Sequence, residues 1–237
     1  MSNGNEWLVR ASGIGALMTK GRGTEFGETA MNVIREAVLW NKYGIEKNIS
    51  SKHIEKGIIN EEQSLEMAVR YLFLDVDLSK PKKRLANQWI IGEPDLYQNG
   101  ILIDVKNSWD GTTFPWFDKE VPNKAYFWQL QAYMWLSGLN TSKLIYTLTN
   151  APEHLIFQEA QRNAYKLQML PKYNGITIDE LMEIAEDRAR NELTFDRIPE
   201  EKRIKIFTVD RCDESINQMK ERVEAARKIY EELFNEI

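Results

Sequence analysis

The sequence predicts a mixed α/β fold in which a central β-sheet is flanked by α-helices. β-favouring residues lie on both sides of an Asn-Gly pair in 92–108, and two further β-favouring stretches lie at 143–150 and 204–211. Apolar residues at helical spacing fill the segments around these stretches. The predicted helices lie around 52–73, 123–138, 153–170, 177–193 and 214–237.

The first β-favouring segment is predicted to form a hairpin. Asn99 and Gly100 stand between two short strands, and an Asn-Gly pair favours a tight turn because both central residues must adopt positive φ. The turn folds the first strand back on the second, which brings Asp95 toward Asp104. Two carboxylates from separate strands are thus expected to lie close together.

The second strand of this hairpin is expected to carry charged groups on one face only. Ile101, Ile103 and Val105 alternate with Asp104 and Lys106 along the strand. Successive side chains of a strand point to opposite faces of the sheet. A carboxylate and an ammonium therefore share one surface, while branched apolar residues fill the other.

Two carboxylates beside an amine predict a metal-dependent site for phosphoryl chemistry. Carboxylate oxygens suit Mg²⁺ or Mn²⁺, which bind through a few carboxylates together with substrate phosphates. Two such ions about 3.5–4 Å apart can stabilise both the attacking and the leaving oxygen. An isolated Asp-x-Lys is more often a weak solvent-facing pair on an edge strand. Here the second Asp and the helical motifs on either side favour a nuclease site.

The upstream helix, 52–73, offers further ligands. Glu61 and Glu62 interrupt its apolar pattern, and a carboxylate projected from this helix toward the hairpin would complete the metal site. His53, Gly57 and Glu61 are spaced four apart and would share one helical face. His53 is therefore a further candidate ligand, although a His at such a position is more often ordinary helix surface or core.

The downstream helix, 123–138, places an amide and a phenol one turn apart. Pro122 is expected to begin this helix, and Gly138 is expected to end it in the left-handed cap position. The side chains of Gln129 and Tyr133 can reach a phosphate, the substrate backbone or the lysine face of the hairpin. The other residues of the helix are mostly apolar or aromatic, which predicts a buried helix that presents one polar edge.

Short motifs follow one another along the chain: G-x-x-x-E at 57–61, G-x-x-D-L at 92–96, D-x-K at 104–106 and Q-x-x-x-Y at 129–133. Together they resemble the PD-(D/E)xK nuclease superfamily, and within it the phage lambda exonuclease branch, often called YqaJ-type viral recombinases. An R-x-S-x-x-G-x-x-M pattern within 8–19 is similar to the opening of those proteins. The resemblance covers roughly residues 8–150 and implies a restriction-endonuclease-like core.

The resemblance implies roles for individual residues of the hairpin and the upstream helix. Glu61, Asp95 and Asp104 would hold the metal ions, together with the backbone carbonyl of Val105. Lys106 would be the catalytic lysine. The glutamate directly after Glu61 could replace it in the motif, so the choice between these two neighbouring carboxylates stays open.

The same resemblance places Gln129 and Tyr133 beside the active site and assigns Ser12 to a substrate phosphate. Further DNA contacts are expected from basic side chains near the N-terminus and just before the G-x-x-D-L motif, although a run of charge is more often a solvated loop. These basic residues are Arg10, Lys82, Lys83 and Arg84.

The resemblance also implies an activity. The enzyme would digest linear double-stranded DNA from its 5′ ends with Mg²⁺, for which Mn²⁺ can substitute. It would leave 3′ single strands for a single-strand annealing protein in phage-type recombination, and a homotrimeric ring would explain processivity. The alternatives are a structure-specific or restriction-like endonuclease on the same core, and a non-cleaving DNA-end-binding or assembly subunit.

Composition sets the outer bounds. The 237 residues, of which 43% are hydrophobic, suit one α/β domain over 1–237. Its core would lie at roughly 8–150, and 151–237 would complete the fold. The formal net charge of −5 is unfavourable for DNA binding, although carboxylates at a metal site count as negative only until a cation binds.

The single cysteine and one uncharged stretch argue against an iron–sulfur cluster, an intrachain disulfide and a membrane span. Cys212 alone cannot supply the about four ligands of an iron–sulfur cluster or form an intrachain disulfide, which predicts no such cluster and a cytoplasmic location. The stretch 125–142 has no charged residue but contains two glutamines. That composition argues against a membrane span.

Overall fold

The computed structural model describes residues 7–22, 25–48 and 50–237. These residues form two β-sheets and eight α-helices. The strands are β1 (Val9–Arg10), β2 (Leu85–Ala86), β3 (Ile90–Gly92), β4 (Leu96–Gln98), β5 (Ile101–Asn107), β6 (Thr141–Thr147) and β7 (Ile204–Asp210). The helices are α1 (Ile14–Leu17), α2 (Glu28–Tyr43), α3 (Lys52–Ile59), α4 (Glu61–Tyr71), α5 (Lys124–Ser137), α6 (Glu153–Gln168), α7 (Ile178–Leu193) and α8 (Asp213–Glu236).

The larger sheet has the strand order β4-β5-β6-β7. β5 is antiparallel to β4 and parallel to β6, and β7 is antiparallel to β6. The turn between β4 and β5 has positive φ at both Asn99 (51°) and Gly100 (77°), as the primed turn requires. The predicted hairpin is confirmed, and the predicted strands at 143–150 and 204–211 correspond to β6 and β7.

The two faces of the larger sheet pack against different helices. On one face, Leu102 of β5 joins a core that includes Leu130 of α5. On the other face, Ile103 and Val105 share a core with Met67 of α4. The predicted alternation along β5 is confirmed, and the charged residues of this strand lie on the α5 face.

The smaller sheet, with the order β1-β3-β2, ties the N-terminal segment to the strand that precedes the site. β1 is parallel to β3, and β2 is antiparallel to β3. A Cβ atom on Gly92 would lie 2.8 Å from Cε1 of Tyr133, and one on Gly15 would lie 2.5 Å from Cα of Ala125. The absence of side chains at these glycines lets both segments pack closely against α5.

The remaining helices pack around this framework. α6 and α7 form a pair with an apolar core that includes Leu155 and Leu181. α8 packs against α1 and α2, with Met219 and Val223 buried. Helices α6, α7 and α8 agree with the predicted ones, whereas the sequence did not predict α1 or α2. A single domain over 1–237 stays a prediction. Among the described residues, no helix combines the length and apolar character needed to cross a membrane.

The predicted continuous helix over 52–73 is wrong, because the chain bends at Asn60 between α3 and α4. The Asn60 backbone leaves the helical conformation, with φ −97° and ψ 10°. Its side-chain amide donates to Oγ1 of Thr149 at 2.7 Å and to the Asn150 carbonyl at 2.8 Å. His53 therefore lies on a different helix from the glutamates at the start of α4, and the predicted shared face does not form.

The ends of α5 agree only in part with the sequence pattern. Pro122 lies before the cap instead of beginning the helix. The cap is Asn123, whose side chain accepts a hydrogen bond from the N–H of Ala125 at 2.9 Å, as asparagine caps commonly do. Gly138 ends the helix with φ 74°, as predicted.

Candidate active site

The site is built near the end of β5, where two charged side chains share the face toward α5. Nζ of Lys106 lies 2.6 Å from Oδ2 of Asp104. Only 2% of Asp104 is exposed. The same ammonium lies over Tyr126, 4.8 Å from the ring centroid. A buried carboxylate and one ammonium thus form a pair in a place that largely excludes water.

The charge states of this pair follow from burial and from neighbouring charges. Burial raises the pKa of Asp104 to about 6, with a contribution from the negative charge of Asp95, although Lys106 opposes the rise. Burial also disfavours the charged form of Lys106, but the attraction of the two carboxylates outweighs it and raises the pKa of the ammonium. Lys106 is therefore charged at neutral pH, so its ammonium can donate hydrogen bonds and attract negative charge but cannot accept a proton.

Asp95 lies directly before β4 and reaches β5 through its side chain. Oδ2 of Asp95 accepts a hydrogen bond from the backbone N–H of Val105 at 2.7 Å, just beyond the pair formed by Leu96 and Ile103. The N–H and C=O of one residue point to the same side of a strand, so the Val105 carbonyl faces the side where Asp95 lies. The hairpin brings both predicted carboxylates and the predicted carbonyl to one corner of the sheet.

A lysine, Lys82, links Glu61 to this corner of the sheet. The ammonium of Lys82 contacts Oε1 of Glu61 and lies 3.0 Å from Oδ1 of Asp95. Glu61 is the first residue of α4, and the hydrogen bonds of Asn60 fix that end of the helix. Burial disfavours the charged ammonium of Lys82, yet the two carboxylates raise its pKa. Lys82, expected from the sequence to contact DNA, is paired with carboxylates in this structure.

The other two candidate ligands do not join this corner. Glu62 is exposed on α4. His53 is exposed on α3, where its ring lies 4.8 Å from that of Trp109. Within the described residues, neither side chain forms a hydrogen bond or ion pair with the hairpin carboxylates. The geometry therefore favours Glu61 over Glu62 as the third carboxylate.

Gln129 and Tyr133 form a buried chain of hydrogen bonds that ends on Asp104. Nε2 of Gln129 donates to Oδ1 of Asp104 at 3.1 Å and to Oη of Tyr133 at 3.0 Å. The Tyr133 hydroxyl in turn donates to the Glu93 carbonyl at 3.3 Å. Burial raises the pKa of Tyr133, so its phenol stays protonated. Gln129 therefore reaches the lysine face of the hairpin, one of the three positions that the sequence allowed, and holds the carboxylate there together with Tyr133.

The remaining predicted DNA contacts are exposed. Arg10 and Ser12 line a groove of about 750 Å³ beside α2. Nζ of Lys83 lies 5.1 Å from the ring centroid of Tyr97, and Arg84 is exposed next to it. None of these three cations forms an ion pair with a described residue. They are available to a polyanion, unlike Lys82.

The donor set of the corner fits a hard divalent cation. Oδ2 of Asp104 is buried and, despite its contact with Lys106, accepts no hydrogen bond of ordinary geometry. Together with Asp95 and Glu61 it offers the carboxylate oxygens that Mg²⁺ and Mn²⁺ prefer. Among the described residues, no group of three or more His, Cys, Asp or Glu side chains is already arranged around one point. Lys82 lies between two of the carboxylates, so the lysine and these carboxylates must rearrange when a cation binds.

Comparison with known proteins gives matches at the level of structure. Family models and curated protein sequences give no significant match. A phage-related exonuclease from Haemophilus somnus 129PT matches with a TM-score of 0.71 and 25% identity, over 98% of this chain and 97% of that one. An alkaline exonuclease from Laribacter hongkongensis, LHK-Exo, matches with a TM-score of 0.61 and 14% identity, over 96% and 90%. Its complex with dAMP matches with a TM-score of 0.62 and 15% identity, over the same shares.

The chain has the fold of the phage-type exonucleases. This likeness confirms the resemblance to the lambda exonuclease, or YqaJ-type, branch of the PD-(D/E)xK superfamily, and it supports the assignment of the protein as a nuclease. The first match spans nearly the whole chain. The helices and strands after residue 150, beyond the motifs, therefore belong to the same nuclease fold.

The nuclease also contains a buried polar network behind the site that the sequence pattern did not reveal. Nδ2 of Asn107 donates to Oγ of Ser64 at 2.9 Å and to Oγ1 of Thr149 at 2.6 Å, and Thr147 donates to Ser64 at 2.8 Å. These bonds join α4, which begins with Glu61, to the ends of β5 and β6. The only signal in the sequence is the succession of polar residues that follows each apolar strand.

A buried lysine forms a second support of the nuclease site. Lys56 of α3 is 1% exposed, and its Nζ donates to the carbonyls of Ser108 at 2.7 Å and Trp109 at 2.9 Å. Burial lowers the pKa of Lys56 to about 7. The lysine ties α3 to the loop that follows β5. Nothing in the sequence distinguishes it from Lys52, the other lysine of the same helix, which is partly exposed and pairs with Glu159.

Proposed function

We propose that this protein is a Mg²⁺-dependent exonuclease that resects linear double-stranded DNA from its 5′ ends and leaves 3′ single strands. The observation that carries the proposal is the corner where Asp95, Asp104 and Lys106 meet, in a chain that matches a phage-related exonuclease over 98% of its length. Carboxylates that can hold divalent ions, next to a fixed positive charge, suit the hydrolysis of a phosphodiester.

The proposed ligands are Glu61, Asp95, Asp104 and the carbonyl of Val105. A divalent cation bound there would activate a water molecule and compensate the charge that develops on the phosphate. Lys106 would donate a hydrogen bond to the attacking water or to a phosphate oxygen, because its ammonium stays charged. In the reaction a bond forms between the water oxygen and phosphorus, a phosphorus–oxygen bond of the backbone breaks, and the leaving oxygen takes up a proton.

The hydrogen-bond chain behind Asp104 would keep this carboxylate in a fixed orientation. Gln129 holds Oδ1, so the second oxygen stays turned toward Lys106. Outer partners of this kind commonly tune metal affinity and activity. Gln129 and Tyr133 would therefore act as positioning residues that do not contact the substrate.

Substrate phosphates would be bound by exposed basic side chains and by the hydroxyl of Ser12. Arg10 and Ser12 lie on the segment beside β3, while Lys83 and Arg84 lie just before β2. With a formal net charge of −5 for the whole chain, DNA affinity would depend on these local cations. Because phosphate contacts release counterions, binding should weaken as salt increases.

Linear duplexes labelled at either the 5′ or the 3′ terminus test the activity and its polarity together. With Mg²⁺, the 5′ label should be released first, and no label should be released in EDTA. Covalently closed circular DNA should stay intact. Cleavage of the circle would favour a restriction-like or structure-specific endonuclease, and binding of ends without cleavage in Mg²⁺ or Mn²⁺ would favour a non-cleaving end-binding subunit.

The proposed partners need separate measurements. The 3′ single strand would pass to an annealing protein in the cytoplasm of a bacterial host, which co-purification with such a protein tests. A homotrimeric ring would keep the enzyme on its substrate. Light scattering should then give three times the chain mass of 27.7 kDa, and a monomer mass would contradict the ring.

A further inference from the structure

Lys82 occupies the position between two carboxylates of the proposed metal site. Its ammonium contacts Oε1 of Glu61 and lies 3.0 Å from Oδ1 of Asp95. The other Asp95 oxygen is held by the N–H of Val105. Among the described residues, no other cationic side chain pairs with either carboxylate. Lys82 therefore compensates the charge of both groups and holds them close together, as a bound cation would.

The segment that carries Lys82 is anchored independently of these ion pairs. The side chain of Gln98, at the end of β4, donates to the Asp77 carbonyl at 2.8 Å and accepts from the Asp77 N–H at 3.1 Å. Lys82 follows Pro81, which has no N–H to donate. The side chain of Lys82 is 33% exposed. The ammonium can thus leave the carboxylates while the fold of the loop and the hairpin is retained.

We propose that Lys82 is an internal counter-ion that a divalent cation displaces, and that the released ammonium then binds a substrate phosphate. The inference rests on the proposed function. An ammonium and a divalent cation repel each other at contact distance, so they cannot share the same oxygens of Glu61 and Asp95. Once released, Lys82 would extend the exposed basic pair Lys83 and Arg84. One side chain would thereby couple metal binding to DNA binding.

This role and that of an ordinary structural ion pair predict opposite changes in metal affinity when Lys82 is replaced. Loss of a residue that merely holds the site together would weaken metal binding. Loss of a competitor for the same carboxylates would strengthen it. A direct measurement of metal affinity without DNA therefore separates the two roles, and it does not depend on cleavage.

The first experiment is a Mn²⁺ titration of the DNA-free protein, with free Mn²⁺ measured by electron paramagnetic resonance. Lys82→Met should bind Mn²⁺ roughly 3- to 10-fold more tightly than the wild type, the range expected when two partly exposed ion pairs no longer have to be broken. Lys83→Met, the neighbouring lysine without an ion pair, should stay within about 2-fold of the wild type. Lys82→Arg should also stay close to the wild type, because it keeps the competing charge.

The second experiment measures binding of a labelled duplex end by fluorescence anisotropy, with Ca²⁺ as a cation that should not support cleavage. In Ca²⁺, Lys82→Met should bind DNA more weakly than the wild type. In EDTA the difference should be smaller, because the wild-type ammonium is then held by the carboxylates and does not contact a phosphate. Lys83→Met should lose affinity equally under both conditions.

The outcomes separate this inference from the proposed function. Equal or weaker Mn²⁺ binding by Lys82→Met, in a wild type that binds Mn²⁺ and cuts DNA, would overturn the inference alone. A loss of DNA affinity that is the same in Ca²⁺ and EDTA would also overturn it. A wild type that neither binds Mn²⁺ nor cuts DNA would remove both proposals. Lys82→Gln provides the same test if the methionine variant does not fold, as circular dichroism would show.

Discussion

Asp104→Asn should make the metal-free protein more stable at neutral pH while it abolishes cleavage. Burial raises the pKa of Asp104 to about 6, compared with about 3.9 for Asp in an unfolded chain. Between these values the native state holds a proton that the unfolded state has lost, so stability falls as pH rises from about 4 to about 6, and the full penalty remains above that range. The difference corresponds to at most about 3 kcal/mol, and the cost of about 1–3 kcal/mol for leaving Lys106 without its partner reduces the gain to about 0–2 kcal/mol.

Urea unfolding in EDTA between about pH 4 and pH 8 measures this effect. The variant should be more stable than the wild type near pH 7.5, and the two should converge near pH 4, where the wild-type carboxyl is protonated. Asp110→Asn is the matched control of opposite sign. Partial burial raises the pKa of Asp110, but hydrogen bonds from Thr112 and Thr113 outweigh this effect and lower the pKa. The Asp110 carboxylate therefore stabilises the native state at neutral pH, so Asp110→Asn should be less stable than the wild type. A less stable Asp104→Asn protein near pH 7.5, or a stability advantage that does not change with pH, would contradict the raised pKa of Asp104.

Further variants test the surroundings of the site. Gln129→Ala should lower the cleavage rate about 10- to 100-fold, because the buried carboxylate on β5 loses its hydrogen-bond donor. Gln131 is a buried amide of the same helix that forms its hydrogen bonds outside the site, so Gln131→Ala should lower the melting temperature without this loss of rate. Lys106→Met should lower cleavage of end-labelled duplex by about 10²–10³-fold at unchanged DNA binding, and a rate near that of the wild type would contradict its role. Gly92→Ala should destabilise the protein by about 1–3 kcal/mol because the new Cβ would lie 2.8 Å from Tyr133; an unchanged melting temperature would count against this close approach.

The parts of the fold that the sequence predicts are those set by local geometry. The Asn99-Gly100 turn needs only two residues with positive φ, and the alternation along β5 follows from the period of a strand. Together they place Asp95 and Asp104 on neighbouring segments. Their meeting with Lys106 therefore follows from fewer than twenty consecutive residues.

The parts that the sequence did not predict depend on distant contacts. The bend at Asn60 forms because its side-chain amide donates hydrogen bonds to Thr149 and to the Asn150 carbonyl, which follow β6. The apolar pattern over 52–73 gives no information on these distant partners. The pairing of Lys82 with a helix start and a hairpin is likewise decided by tertiary placement. A basic run in the sequence shows charge, but it does not show which cations are already paired.

The raised pKa values of Lys82 and Lys106 have a common origin. A site for divalent cations must gather carboxylates that repel one another, and in this chain two lysines compensate them before a cation arrives. Because both lysines are engaged, only the exposed basic residues of the region can attract DNA to a chain of net charge −5. A cation that binds only the native state stabilises it and replaces the compensation that the lysines provided. Metal should therefore raise both the stability and the DNA affinity of this protein, even under conditions in which no phosphodiester is cut.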